Sequence, residues 1–149
     1  MEIERKYLID RLPTNLDCFP SRHIQQGYLC TSPVIRIRKD GEHFFLTYKS
    51  SGLLAREEYN LPLTKEAYRH LLPKADGILI EKNRFCIPLA GGLTIELDVF
   101  EGKLAPLVLA EVEFPDKESA LSFSPPPWFG KDVTFSGEYQ NSRLIRRFS

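Results

Sequence analysis

Charged side chains two residues apart recur along this chain of 149 residues, and their types are those that hold metal ions and phosphates. Glu2, Glu4 and Lys6 open the series. Arg36 and Arg38, Lys82 and Arg84, Glu96 and Asp98, and Glu111 and Glu113 follow as pairs, with Lys49, Arg56 and Glu58 between them. Lys6, Arg36, Arg38, Lys49, Lys82 and Arg84 suit an anion with many oxygens, because guanidinium groups present planar forks and ammonium groups point charges. Glu2, Glu4, Glu58, Glu96, Asp98, Glu111 and Glu113 suit a hard divalent cation that takes oxygen ligands, Mg²⁺ or Mn²⁺. Both sets in one pocket describe a polyphosphate bound with a metal ion. No GxxxxGK[ST] phosphate loop occurs, so the usual nucleotide-binding route is absent.

Nitrogen and sulfur ligands have no comparable pattern. His23, His43 and His70 show no HxH or HxxxH spacing, and Cys18, Cys30 and Cys86 contain no CxxC pair. The cysteines read as free thiols in a reducing compartment. The histidines read as ordinary surface or loop residues, and Trp128, beside three prolines, as a packing anchor.

The spacing of two is that of a strand, where alternate side chains share a face. It predicts strands over Glu2–Ile9, Ile24–Cys30, Val34–Lys39, His43–Ser50, Ala55–Leu61, Ile78–Pro88, Gly92–Phe100 and Leu107–Phe114. Asp40-Gly41 predicts a tight hairpin, and Ser50-Ser51-Gly52 and Ala90-Gly91-Gly92 further turns. Helices are expected over Thr64–Leu72, capped by Thr64 and stopped by Pro73, and over Asp116–Phe123, with a third over 138–147.

About eight mostly antiparallel strands in one domain, residues 1–149, leave a sandwich or a barrel. In a sandwich the charged faces would simply be wet. Two features favour closure instead. The faces are nearly single-signed, whereas solvated faces usually mix signs. The opposite faces (Ile35 and Ile37, Phe44 and Leu46, Ile95, Leu97 and Val99) are apolar and must also be covered. The expected fold is therefore mainly β: a closed eight-stranded antiparallel barrel with a charged lumen, flanked by a few helices. A lumen of that size holds side chains or one small ligand, and so many charges require paired or bound ions.

Composition narrows the partners. Twenty basic and twenty acidic residues balance, which argues against a general nucleic-acid binder. The charged start is unlike a signal peptide, and no apolar run is long enough to span a membrane. A cytoplasmic protein is expected, with a weak pointer to a homodimer in the apolar outer faces.

Ordered motifs then carry a resemblance. Glu2-Ile3-Glu4-Arg5-Lys6 matches an ExExK signature. Gln26-Gly27-Tyr28-Leu29, Arg36-Ile37-Arg38, Thr47-Tyr48-Lys49, Glu81-Lys82-Asn83-Arg84-Phe85, Glu96-Leu97-Asp98-Val99-Phe100 and Ala110-Glu111-Val112-Glu113-Phe114 follow in order. Together they resemble the CYTH superfamily, the triphosphate tunnel metalloenzymes, and its short bacterial members, several of which are inorganic triphosphatases. The resemblance implies an eight-stranded tunnel, divalent-metal dependence, and hydrolysis of a triphosphate to diphosphate and phosphate. The attacking water is expected to be activated either by a second metal ion or by Lys6 near Tyr28, a base whose pKa neighbouring cations would lower, and the resemblance implies such a Lys6–Tyr28 catalytic pair. Asn60 stands where many members carry an acidic residue, which removes one negative charge beside Glu58. The alternatives are an adenylate cyclase of class IV type or a thiamine or nucleoside triphosphatase of the same superfamily, and a non-catalytic polyphosphate-binding module.

Overall fold

Period-two segments become long antiparallel strands because each has one apolar face to bury and one polar face to satisfy. The structure, a computed structural model, describes residues 1–140 and 143–144. The strands are β1 (Glu2–Leu8), β2 (Ser21–Thr31), β3 (Val34–Asp40), β4 (His43–Lys49), β5 (Ala55–Arg56), β6 (Glu58–Pro62), β7 (Asp76–Pro88), β8 (Thr94–Phe100) and β9 (Val108–Glu113). They form one sheet in the order β5-β1-β9-β8-β7-β2-β3-β4-β6.

The expected fifth strand, Ala55–Leu61, is divided at Glu57 into β5 and β6, so nine strands stand where eight were expected. The division closes the barrel. β5 pairs with β1 at one edge of the sheet and β6 with β4 at the other, so a single residue joins the two edges. Ser50 pins that residue, its N–H donating to Glu57 O at 3.1 Å and its Oγ accepting from Glu57 N at 2.9 Å. A sheet closed in this way leaves few unpaired edge groups.

Two helices cover part of the outside. In α1 (Lys65–Leu71) the Thr64 hydroxyl accepts from Ala67 N at 3.1 Å, and buried Tyr68 packs on Phe44 with ring centroids 5.1 Å apart. In α2 (Lys117–Leu121) Asp116 accepts from Ser119 N at 2.7 Å. Beyond α2, Phe123 and Phe129 close on Phe114 and Tyr7, with centroids 5.1 and 5.0 Å apart. Trp128 packs edge-on to Phe129 and against this layer, the anchor its prolines suggested. Arg5 ties the layer to β1: its guanidinium donates to Asp132 at 2.5 Å and to the Ala120 carbonyl at 2.6 Å. On the β4–β6 side, Tyr48, Tyr59 and Leu61 stay exposed.

Inside the barrel the polar series does not run from end to end. The face of β1, β7, β8 and β9 that carries charge continues as Leu8, Ile80, Phe100 and Leu109, which pack with Leu104, Val133 and Leu144. One end of the interior is therefore apolar and filled, and only the remainder is a charged tunnel. Of the tail expected to be helical over 138–147, residues 141, 142 and 145–147 lie outside the described residues, while Arg143 and Leu144 are helical. None of the helices among the described residues is long and apolar enough to cross a membrane.

Candidate active site

Strand pairing sets the charged residues around one cavity of about 200 Å³. Every residue of the charged series singled out from the sequence lines it, Arg56 included, except Lys82 and Asp98; Tyr28 lines it too, and Arg22, Val34 and Gln140 join them. Register explains the convergence. Glu4 lies opposite Glu113 and Lys6 opposite Glu111 across β1–β9, Glu96 opposite Glu111 across β8–β9, and Lys49 opposite Glu58 across β4–β6.

Lys82, expected as a phosphate contact, and Asp98, expected as a metal contact, lie deeper than the residues that line the cavity. Both side chains are fully buried behind the cavity wall. Asp98 accepts two hydrogen bonds from Arg84, at 2.8 and 2.9 Å, and lies 2.7 Å from Lys82 Nζ, an ion-pair contact without hydrogen-bond geometry. Burial works against the Asp98 carboxylate, but Arg84 and Lys82 outweigh it and hold its pKa below the ordinary range. Burial and Arg84 push the Lys82 amine down to about 8 despite Asp98. Arg84 reaches past this pair into the cavity, where its Nη1 meets Glu96 at 2.9 Å. Asp98 therefore orients a cavity cation.

Lys49 spans the closure between β1 and β6. Its Nζ lies 3.0 Å from Glu2 and 3.0 Å from Glu58. Burial opposes the Glu58 carboxylate, but hydrogen bonds with Glu2, Lys49 and Asn60 bring its pKa down to about 2. Asn60, the departure noted in the sequence, is thus in use: its Nδ2 donates to Glu58 at 3.1 Å and its Oδ1 accepts from buried Thr47 at 2.5 Å. Arg56 lies 3.5 Å from Glu2.

Lys6 has carboxylates for neighbours, and the expectation that cations lower its pKa is overturned. Its Nζ lies 3.8 Å from Glu111 and donates to the Tyr139 carbonyl at 3.3 Å. Burial disfavours its charge, but Glu111 and Glu4 prevail over burial and Arg56, and its pKa is raised. Burial and the like charges of Glu111 and Glu2 push Glu4 well above the carboxylate range. Glu111 stays well below it, since Lys6 and Arg84 outweigh its burial. Glu113 is raised by burial and by Glu2, Glu58 and Glu96.

Arg36 and Arg38 differ from all of these. Both line the cavity, Arg36 only 4% exposed, and among the described residues neither has a carboxylate within ion-pair distance. Arg38 Nε donates to Gln26 Oε1 at 3.0 Å, while Arg36 Nε is buried without a hydrogen-bond partner among the described residues. Burial, Arg36 and Arg84 together bring Arg38 down to about 9. Tyr28, also lining the cavity, is opposite Arg36 in the β2–β3 register.

The cavity thus has an acidic sector around Glu2, Glu4, Glu111 and Glu113 and a cationic sector around Arg36, Arg38 and Arg84. The acidic sector fits a hard divalent cation, because Glu4 and Glu113 carry more like charge around them than their cations offset. Its carboxylates are more widely spread than a preformed cage. Among the described residues, only His23, Glu81 and Glu101, on the outer face, bring three ligand atoms within 4.8 Å of one another. Arg22 escaped the sequence reading, because its neighbour at the i+2 position is Ile24 and it has no charged companion on its own strand.

Comparison with known proteins agrees with this architecture. The chain is 43% identical over 147 residues to an inorganic triphosphatase of Nitrosomonas europaea, covering 96% of this chain and 95% of that protein. It is 32% identical over 156 residues to an inorganic triphosphatase of Acetivibrio thermocellus, covering 97% and 93%. A crystal structure of an inorganic triphosphatase superposes with a TM-score of 0.73 at 38% identity, covering 97% of this chain and 94% of that one. The CYTH domain model matches residues 1–148, and the chain belongs to the CYTH domain family.

Proposed function

We propose that this protein hydrolyses inorganic triphosphate to diphosphate and phosphate inside the barrel, with Mg²⁺ or Mn²⁺ as cofactor. One observation carries the reading: two guanidinium groups, buried Arg36 and half-buried Arg38, line the cavity, and among the described residues no carboxylate lies within ion-pair distance of either. Buried cations of this kind are costly unless an anion meets them. The acidic sector across the same cavity separates an anion that comes with metal from a simple anion site. Relatives named inorganic triphosphatase, matched over nearly the whole chain, support the choice of substrate.

Phosphoryl transfer needs positioning and charge neutralisation more than covalent chemistry. In this reading Arg36, Arg38 and Arg84 grip the phosphate chain and Lys49 borders it, while Asp98, itself paired with Lys82, holds Arg84 in place from behind. Glu2, Glu4, Glu111 and Glu113 would hold the metal ion, supported by Glu58 and Glu96. When bound, such an ion neutralises phosphate charge and acidifies water. Lys6 and Tyr28 are the proposed catalytic pair. Lys6 lies beside Glu111, placed either as a cation and hydrogen-bond donor toward the charge that develops in transfer or as the base, and Lys6→Arg against Lys6→Met separates the two roles.

The deciding experiment measures phosphate release from tripolyphosphate, diphosphate, ATP and thiamine triphosphate, each with and without Mg²⁺ or Mn²⁺. Metal-dependent release, fastest from tripolyphosphate, is expected. Binding of tripolyphosphate without release would leave a binding module. Cyclic AMP from ATP would make the protein a cyclase.

A further inference from the structure

Arg22 has no role in the reading above, yet it lines the same cavity. It stands on β2 directly opposite Arg84 on β7. Like charges opposite each other in a ladder repel, and Asp98 and Glu96 serve Arg84, not Arg22. Asp40, at the end of β3, holds one edge of the Arg22 guanidinium, accepting from Nε at 2.7 Å and from Nη2 at 3.4 Å. Among the described residues, the remaining nitrogen, Nη1, donates only to the Cys86 thiol, at 3.4 Å. A neutral sulfur is a weak acceptor, whereas a phosphate oxygen offers a charge-assisted bond. The side chain is 42% exposed, unlike buried Arg36 and Arg84. It therefore belongs to the solvent-facing mouth.

We propose that Arg22 is a further substrate-binding residue, held by Asp40 at the tunnel mouth, whose Nη1 leaves the Cys86 thiol for an oxygen of the outermost phosphate. An ordinary surface ion pair would contribute little. What separates Arg22 from one is its place on the cavity wall beside a second arginine, with its free donor occupied only by a thiol. A chain long enough to reach both the buried arginines and Arg22 is then favoured over diphosphate. This rests on the triphosphatase reading.

The test compares wild type with Arg22→Gln, Arg22→Lys and Arg11→Gln in a steady-state tripolyphosphate assay with Mg²⁺. Arg11 is an exposed arginine outside the cavity lining and controls for loss of charge alone. Arg22→Gln is expected to raise KM about ten-fold, the loss of one charge-assisted hydrogen bond, with kcat within about two-fold. Inhibition by diphosphate should hardly change. Arg22→Lys cannot hold Asp40 and a phosphate at once, so it should raise KM several-fold too. Arg11→Gln should leave KM unchanged. An unaltered KM in Arg22→Gln, or an equal rise in Arg11→Gln, overturns the proposal while the triphosphatase reading stands. A wild type that releases no phosphate defeats that reading instead. In that event, tripolyphosphate binding measured by calorimetry still decides Arg22, since equal affinity in wild type and Arg22→Gln overturns its role.

Discussion

Arg36 and Arg38 illustrate how a binding site stores instability. Among the described residues neither guanidinium has a carboxylate within ion-pair distance, and Arg38 is brought down to about 9 by burial and its cationic neighbours. Replacing such a charge with an apolar side chain of similar length often stabilises a fold. Arg38→Met is therefore expected to raise the melting temperature, by the equivalent of about 1–2 kcal/mol, while triphosphate hydrolysis falls at least a hundred-fold. Thermal denaturation and a phosphate-release assay on the same preparation check both halves. Lys6 poses a different question. As a cation beside Glu111 it would contribute its charge alone, so Lys6→Arg should keep part of the activity that Lys6→Met loses. Equal inactivity of the two variants would restore the base role. Lys6, Arg36 and Arg38 were all legible as site residues from their types and spacing. The partners that determine how each behaves were not, because Glu111 meets Lys6 only through β1–β9 pairing, about a hundred residues along the chain.

Strands carry the site residues, and a strand's alternation assigns a side chain to a face without assigning its depth. Lys82 and Arg84 share a face of β7, and Glu96 and Asp98 one of β8, yet Arg84 and Glu96 line the cavity while Lys82 and Asp98 lie behind it. Asp98→Asn leaves Arg84 with a weaker partner. It is expected to raise the tripolyphosphate KM and to lower stability by about 3 kcal/mol, the cost of breaking a buried pair, without changing the metal concentration needed for half-maximal activity. A shifted metal requirement would return Asp98 to the metal ligands. The outer layer makes a prediction of its own. Asp132 is held below the usual carboxylate range: burial raises it, but Thr134 and Arg5 outweigh burial. Because its folded pKa lies below an unfolded value of about 3.9, its bonds stabilise the fold above that pH, and the benefit is lost as pH falls through the folded value. Asp132→Asn should therefore melt a few degrees below wild type at neutral pH, and the gap should close as pH falls below the ordinary carboxylate range. A gap independent of pH would show that the lost bonds do not depend on ionisation.

At the scale of the whole molecule, closure converts a charged sheet face into a cavity. Glu57 joins the two sheet edges, Lys49 bridges β1 and β6 across the closure, and apolar residues from Leu8 to Leu109 fill one end. A ligand that neutralises the lumen should then stabilise the entire barrel by mass action. Tripolyphosphate with Mg²⁺, at about a hundred times its Kd, is expected to contribute about 2.7 kcal/mol, visible as a higher melting temperature, and Arg38→Met should lose most of that shift. EDTA should reduce the shift in wild type. An identical shift in wild type and Arg38→Met would place the anion outside the tunnel.

By itself, the sequence determined a β protein with period-two charge, the residue types for metal and phosphate, and the face on which each candidate sits, because alternation is a local property of an extended chain. Only the tertiary structure decided that the interior ends in an apolar floor, that the fifth strand breaks at Glu57 to close the barrel, that Asp98 serves Arg84, and that Arg22 joins the cavity. These depend on which strands meet and at what register, and contacts between residues far apart in the chain leave no trace in the spacing of either.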